Sequence, residues 1–157
     1  MRKRITNQGA GSLLLSNQQW LNLEHLAQVE VSSEDAAHPI ESALMPSAGP
    51  GWRAGQPGQQ TVRLLFDEPQ KVARIRLLFQ EDEQQRTQQF VLRWSSDGGQ
   101  SYRELVRQQY NFSPPGSTTE CEDYTVDLDN VTMLELIIIP DISGVPVCAS
   151  LAQLRLV

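Results

Sequence analysis

Ala73-Arg74-Ile75-Arg76-Leu77-Leu78-Phe79 and Phe90-Val91-Leu92-Arg93-Trp94-Ser95-Ser96-Asp97-Gly98-Gly99 decide the fold of this chain. In the first stretch Ala73, Ile75, Leu77 and Phe79 alternate with Arg74 and Arg76. In the second, Phe90, Leu92 and Trp94 alternate with Arg93 and Ser95. A period of two sends successive side chains to opposite faces, so each stretch reads as a strand with one buried and one solvated face. Asp97-Gly98 after the second is a hairpin signal, because these residue types tolerate positive φ.

The same alternation extends in both directions. Upstream lie Val29-Glu30-Val31 and Val62, Leu64 and Phe66. Downstream lie Tyr102 to Gln108, then Tyr124, Val126 and Leu128, then Leu134, Leu136 and Ile138 ending at Pro140, and finally Ala152, Leu154 and Leu156. This makes eight candidate strands and no long helical pattern, so the expected fold is an all-β antiparallel sandwich. Ser16 followed by Gln19 fits a capping box opening a short helix to about Leu26. The expected organisation is an N-terminal arm over residues 1–25 and one domain over 26–157. At 157 residues the chain is long enough to bury a core of its own.

Acids outnumber bases 19 to 13, for a net charge of −6, which argues against general nucleic-acid binding. Arg74, Arg76, Arg93, Arg103 and Arg107 are expected on the solvated face of a sheet. Met1-Arg2-Lys3-Arg4 begins like a secretory signal, but the apolar run that follows is only Leu13-Leu14-Leu15, short of the roughly 7–15 residues needed. No stretch approaches the roughly 18 apolar residues of a membrane span. A cytoplasmic location is expected, with Cys121 and Cys148 as two buried free thiols.

In an antiparallel sandwich every second connection emerges at the same end. The short connections Asp67–Gln70, Asp97–Gly99 and Asp129–Asn130 are therefore expected at one end. The long ones, Ser32–Gln60, Glu81–Gln88, Gln109–Asp123 and Asp141–Ser150, are expected at the other. Long ordered loops tend to carry function. These hold His38, Trp52, Arg53, Arg86, Tyr110, Asn111 and Phe112, which combine aromatic platforms with polar donors and so suit a sugar or a peptide. Those seven residues are the expected ligand site. Each has a structural alternative: Trp52 as core packing, His38 as a loop hydrogen-bonder, Phe112 as a plug for the end of the sandwich. Glu81-Asp82-Glu83 reads as a solvated hairpin tip or as an acidic rim. Glu120-Cys121-Glu122-Asp123 and Cys148 are expected in two loops at that end, in a spacing that matches no zinc pattern.

No glycine-rich phosphate loop, nucleophile elbow or histidine pair is present, so the chain is read as non-catalytic. A hydrolase would require a buried carboxylate pair in the pocket.

Five segments together resemble the discoidin, or coagulation-factor C-type, domain of the galactose-binding-like superfamily. They are Val31-Ser32-Ser33-Glu34, Gly51-Trp52-Arg53, Val72-Ala73-Arg74-Ile75-Arg76-Leu77, Phe90 to Gly99, and Leu151-Ala152-Gln153-Leu154-Arg155-Leu156. The resemblance covers about Val29 to Val157. It implies an eight-stranded antiparallel jelly-roll β-sandwich that binds carbohydrate, lipid headgroup or protein through loops at one end. A non-catalytic carbohydrate-binding module is the leading expectation, with a cytoplasmic protein–protein interaction module of the same fold as its alternative. The resemblance also implies a calcium site made from an Asp-Gly-Asp/Asn loop and a glutamate on the last strand. Here the loop reads Pro39-Ile40-Glu41-Ser42-Ala43-Leu44 and the last strand offers Gln153, so no cofactor is expected.

Overall fold

A computed structural model describes residues 20–45 and 49–157. It is mostly antiparallel β-sheet with two one-turn helices, α1 (Leu23–Leu26) and α2 (Glu41–Leu44). The strands are β1 (Ala27–Val31), β2 (Trp52–Arg53), β3 (Gln60–Gln80), β4 (Arg86–Ser95), β5 (Arg103–Phe112), β6 (Thr119–Ile139), β7 (Ser150–Leu151) and β8 (Gln153–Leu156).

Among the described residues there are eight strands, but not the eight that the periodicity outlines. The expected turns at Asp67–Gln70 and Asp129–Asn130 are not hairpins between neighbouring strands but bends within a continuous pair. β3 and β6 run through them as one long antiparallel pair, matched from Gln60↔Ile138 to Gln80↔Thr119, with register shifts between Leu65 and Arg74. Pro69 cannot donate to a ladder, and Asn130 sits at φ 57°, so both strands bend where pairing is interrupted. The bend lets one strand pair serve two layers. The first half of β3 joins the order β1-β3-β6-β4-β5, while its second half lies between β6 and β8. Phe79 of β3 and Phe90 of β4, which do not pair, bring their ring centroids within 5.2 Å across the core. Val62, Leu64, Ile75, Leu77, Phe79, Phe90, Leu92, Leu134, Leu136 and Ile138 are all nearly inaccessible.

The described part of the N-terminal arm packs on this domain: Leu21 N donates to Leu156 O at 2.7 Å, and Leu23 is buried. The remainder of the expected helix, from Ser16, lies outside the described residues. The thiols differ from expectation, with Cys121 exposed on β6 and Cys148 half-buried, both free. Strand β6 alternates, so Cys121 must face solvent if Glu120 and Glu122 face inward. The Glu120–Asp123 run is therefore strand and not loop.

The β4–β5 ladder runs from Trp94↔Arg103 to Arg86↔Phe112, which places Asp97–Gly99 and Phe112 at opposite ends of the sandwich. Gly98 N donates to Thr132 Oγ1 at 2.9 Å, so the hairpin turn lies beside the β6 bend. At the other end Glu81 N meets Thr118 O, Ile142 N meets Thr87 O, and Gly58 N meets Val147 O. The short turns and the long loops thus segregate as strand parity requires.

Candidate functional site

At the long-loop end a cleft of about 130 Å³ opens between three segments. His38, Pro50, Trp52 and Arg53 come from the connection between β1 and β3. Gln80 and Glu81–Glu83 come from the end of β3 and its loop, and Ser150–Ala152 from β7 and the residue after it.

The long connection is fixed by polar contacts at its root. Gln60, almost fully buried, accepts from Ser32 Oγ at 2.6 Å and Ser33 Oγ at 2.8 Å. Trp52 Nε1 donates to Ser33 O at 3.0 Å, which satisfies the one polar atom of a 1%-exposed indole. Trp52 is thus packing beneath the cleft, and its ring face is not a stacking platform. Gly51 makes the approach to β7 possible. Its φ is +86°, and a Cβ there would stand 2.8 Å from Leu151 O. Trp52 can then pair with Leu151 in the short β2–β7 ladder that forms the floor.

One wall is cationic and the other acidic. His38 Nδ1 lies 2.6 Å from Asp35 Oδ2, and this contact holds the Asp35 carboxyl below the usual aspartate range. Arg53 is exposed, and its guanidinium makes no hydrogen bond or ion pair with a described residue. Asp82 and Glu83 on the opposite wall are likewise exposed and carry unpaired carboxylates. Glu81 is the anchor of that wall. Its Oε2 accepts from Glu83 N and Gln84 N, both at 3.1 Å, and its Oε1 accepts from Arg86 Nε at 2.7 Å. Burial pulls the Glu81 carboxyl upward, but Arg86 and the two amides outweigh it and hold it below the usual glutamate range.

Of the seven expected ligand residues, the cleft unites His38, Trp52 and Arg53 only. Arg86 has a fully buried side chain that bonds Glu81, Gln88 Oε1 and Pro140 O and lies 4.8 Å over the Phe112 ring. It acts behind the acidic wall. Tyr110, Asn111 and Phe112 belong to strand β5, not to a loop, and do not line the cleft. Phe112 is fully buried and plugs the end of the sandwich, with Tyr110 against its edge at 4.9 Å. Tyr110 OH donates to Thr119 O, and Asn111 accepts from Thr87 Oγ1. The proline-containing segment after them looked like an aromatic loop because strand pairing across β4 is not visible locally.

Gln80 and Ser150–Ala152 are site residues that the sequence reading missed. Nothing in their local pattern separates them from ordinary strand termini. Glu81–Glu83 did carry a signal, a charge run in a long connection. Larger openings lie elsewhere, such as a 410 Å³ groove lined by Leu23, Val29, Ile40 and Leu44 beside β1. The loop-end cleft is distinguished by its opposed unpaired charges rather than by size.

Where the resemblance would place calcium, between residues 39–44 and the last strand, the residues do not fit it. Arg155 Nη1 donates to Ala43 O at 2.8 Å and Arg155 Nη2 to Met45 O at 2.7 Å. The guanidinium already donates to those carbonyls, brings a positive charge to the place a cation would take, and ties α2 to β8. Among the described residues no three His, Cys, Asp or Glu side chains converge as a metal site, and no helix is long and apolar enough to cross a membrane.

No family model and no curated protein matches this chain. Solved structures do. A family 32 carbohydrate-binding module of C. perfringens NanJ, solved with galactose, matches with a TM-score of 0.63 at 13% identity, covering 87% of this chain and 96% of that one. A chitosan-binding module from a Paenibacillus sp. IK-5 chitosanase/glucanase matches with a TM-score of 0.59 at 17% identity, covering 87% and 98%. A Ruminococcus gnavus GH29 fucosidase, solved with fucose, matches with a TM-score of 0.68 at 9% identity, covering 93% of this chain and 28% of that one. Identities this low show a shared fold.

Proposed function

We propose that this chain is a non-catalytic carbohydrate-binding module that holds a sugar in the cleft between Arg53 and the Glu81–Glu83 loop. The observation that carries this reading is the set of unpaired charges of opposite sign facing one small cleft. Carboxylates accept from sugar hydroxyls, and a guanidinium donates to hydroxyl or ring oxygens. A ligand bearing both functions satisfies both walls. Pro50 and Ala152 supply apolar contact where the expected aromatic platform is missing. The volume is below the roughly 300–1,000 Å³ of sites for drug-sized ligands and suits one sugar ring. The neighbouring module solved with galactose supports the same reading.

Calorimetric titration with galactose, N-acetylgalactosamine, fucose and chitosan oligosaccharides tests it. Saturable binding to at least one of them, abolished by Arg53→Ala or by Asp82→Asn with Glu83→Gln, is the expected result. No heat from any sugar, or binding untouched by these substitutions, would overturn it.

A second reading, a protein-interaction module, rests on Ile142 and Val145. These are exposed by 48% and 50% on the connection between β6 and β7. Loss of a protein partner on replacing both with Ser, with sugar titrations silent, would favour it.

A further inference from the structure

Behind the acidic wall runs a buried polar chain that the cleft itself does not contact. Arg86, Gln88 and Glu120 are 3%, 0% and 2% exposed, on the inward faces of β4 and β6. Arg86 Nη1 donates to Gln88 Oε1 at 3.1 Å, and Gln88 Nε2 donates to Glu120 Oε1 at 3.3 Å. The chain has a loose end at each terminus. Arg86 Nη2 and Glu120 Oε2 are both buried and without a hydrogen-bond partner. Native structures leave few such groups unpaired, so a pair of them joined by one amide calls for an explanation.

Glu122 supplies part of it. Two residues along β6, it shares the inward face, so two acidic side chains stand side by side there. A buried carboxyl with one oxygen unmet and a second acid beside it is favoured in its neutral form. Burial, then Glu122, pushes the Glu120 carboxyl up to about 8 against the smaller opposing pull of Gln88 and Arg86. From β5, Gln108 Nε2 donates to Glu122 and Tyr110 OH donates to Thr119 O, while Tyr124 of β6 donates its OH to Gln108 at 2.9 Å. From β4 and the loop before it come Arg86 and, beyond it, Glu81. β3 and β8 present Ile75, Leu77, Phe79, Leu154 and Leu156 to the interior, with no ionisable group.

We propose that Arg86 is the positioning residue of the acidic wall, and that the proton on buried Glu120 decides how firmly it holds Glu81. The step rests on the carbohydrate reading only in taking that wall as part of the ligand site. With the proton in place Glu120 is neutral, and Arg86 has one carboxylate partner, Glu81. When Glu120 gives that proton up to solvent, a second buried anion appears one amide side chain away. The unused Nη2 is the donor available to meet it, and in a low-dielectric interior the attraction is strong. The guanidinium is then divided between two anions. Its hold on Glu81 weakens, and the Glu83 and Gln84 amides lose the acceptor that shapes the loop. The cleft therefore loosens as Glu120 ionises.

The amide signals of Glu83 and Gln84, followed by NMR between pH 6 and 9, test this without any ligand. In the wild-type chain they shift with a midpoint near the Glu120 value of about 8. The transition vanishes in Glu120→Gln, which keeps the amide bond partners and cannot ionise. It moves to lower pH in Glu122→Gln, which removes the like charge. A flat wild-type profile, or an unchanged midpoint in Glu120→Gln, overturns the proposal. Galactose titrated at pH 6 and pH 9 separates the two readings. Binding several-fold weaker at pH 9 in wild type, and equal at both in Glu120→Gln, is expected. Equal wild-type affinities overturn the coupling to the cleft. Absence of galactose binding at both counts against the sugar reading, while the amide profile still decides the proton-linked hold on Glu81.

Discussion

Arg86 Nε lies 2.7 Å from Glu81 Oε1, and this contact joins a fully buried cation to the loop that walls the cleft. The same guanidinium serves Gln88 and Pro140 O and stacks on Phe112. Removing one member of a buried ion pair strands the other, at a cost of about 3–5 kcal/mol. Arg86→Ala is expected to destabilise the domain by that order in urea denaturation. Arg86→Lys is expected to recover only part, because an ammonium cannot meet the three acceptors in a plane while lying on a ring.

Stability should fall as the solution becomes alkaline. The folded-state pKa of Glu120 is raised from 4.5 to about 8, so between those values the folded chain holds a proton that the unfolded chain has lost. That contribution is fully present below the unfolded value and disappears as pH rises through the folded one. The melting temperature is expected to drop between pH 6 and pH 9, with a shallower drop in Glu120→Gln. Equal slopes in the two proteins would remove Glu120 from the account.

Two glycines separate strain from collision. Gly51 and Gly58 both have positive φ, +86° and +96°, but only at Gly51 does a Cβ meet backbone, 2.8 Å from Leu151 O and 2.9 Å from Ala152 Cα. Gly58→Ala should carry the conformational penalty alone, about 1–3 kcal/mol. Gly51→Ala should exceed it, and should abolish sugar binding by separating β2 from β7. Thermal denaturation alongside a galactose titration distinguishes them.

On the outward face of the larger sheet, one row of paired positions runs Glu30, Arg63, Glu135, Arg93, Glu104. Glu135 is fully buried and bonded by both Arg63 and Arg93, whereas Glu30 at the row's end is about half exposed. Glu135→Ala is expected to lower stability by about 1.5–3 kcal/mol, the loss of charge-assisted hydrogen bonds from two arginines that solvent can still reach. Glu30→Ala should stay within about 0.5 kcal/mol, as an exposed pair does. Chemical denaturation of the two variants provides the comparison.

The alternation of Ala73, Ile75, Leu77 and Phe79, and of Phe90, Leu92 and Trp94, was enough to read the all-β class, because facing is a local consequence of the pleat. Strand parity also separated the short-turn end from the long-loop end. Within the site, Arg53 and His38 were legible as polar residues in a long connection. Arg86 and Phe112 were legible as unusual, but their burial was not.

The periodicity of the chain determined which residues face inward, and through parity which loops gather at one end, since both depend only on neighbours along the chain. Tertiary structure alone decided that β3 and β6 bend through their apparent turns into two layers, because only their mutual register shows that pairing continues past Pro69 and Asn130. It also decided that Gln80 and Ser150–Ala152 complete the cleft, and that Glu120 lies against Glu122 and Gln88 in the interior. Burial and opposition of charge arise between segments remote in sequence, and no local pattern encodes the distance between them.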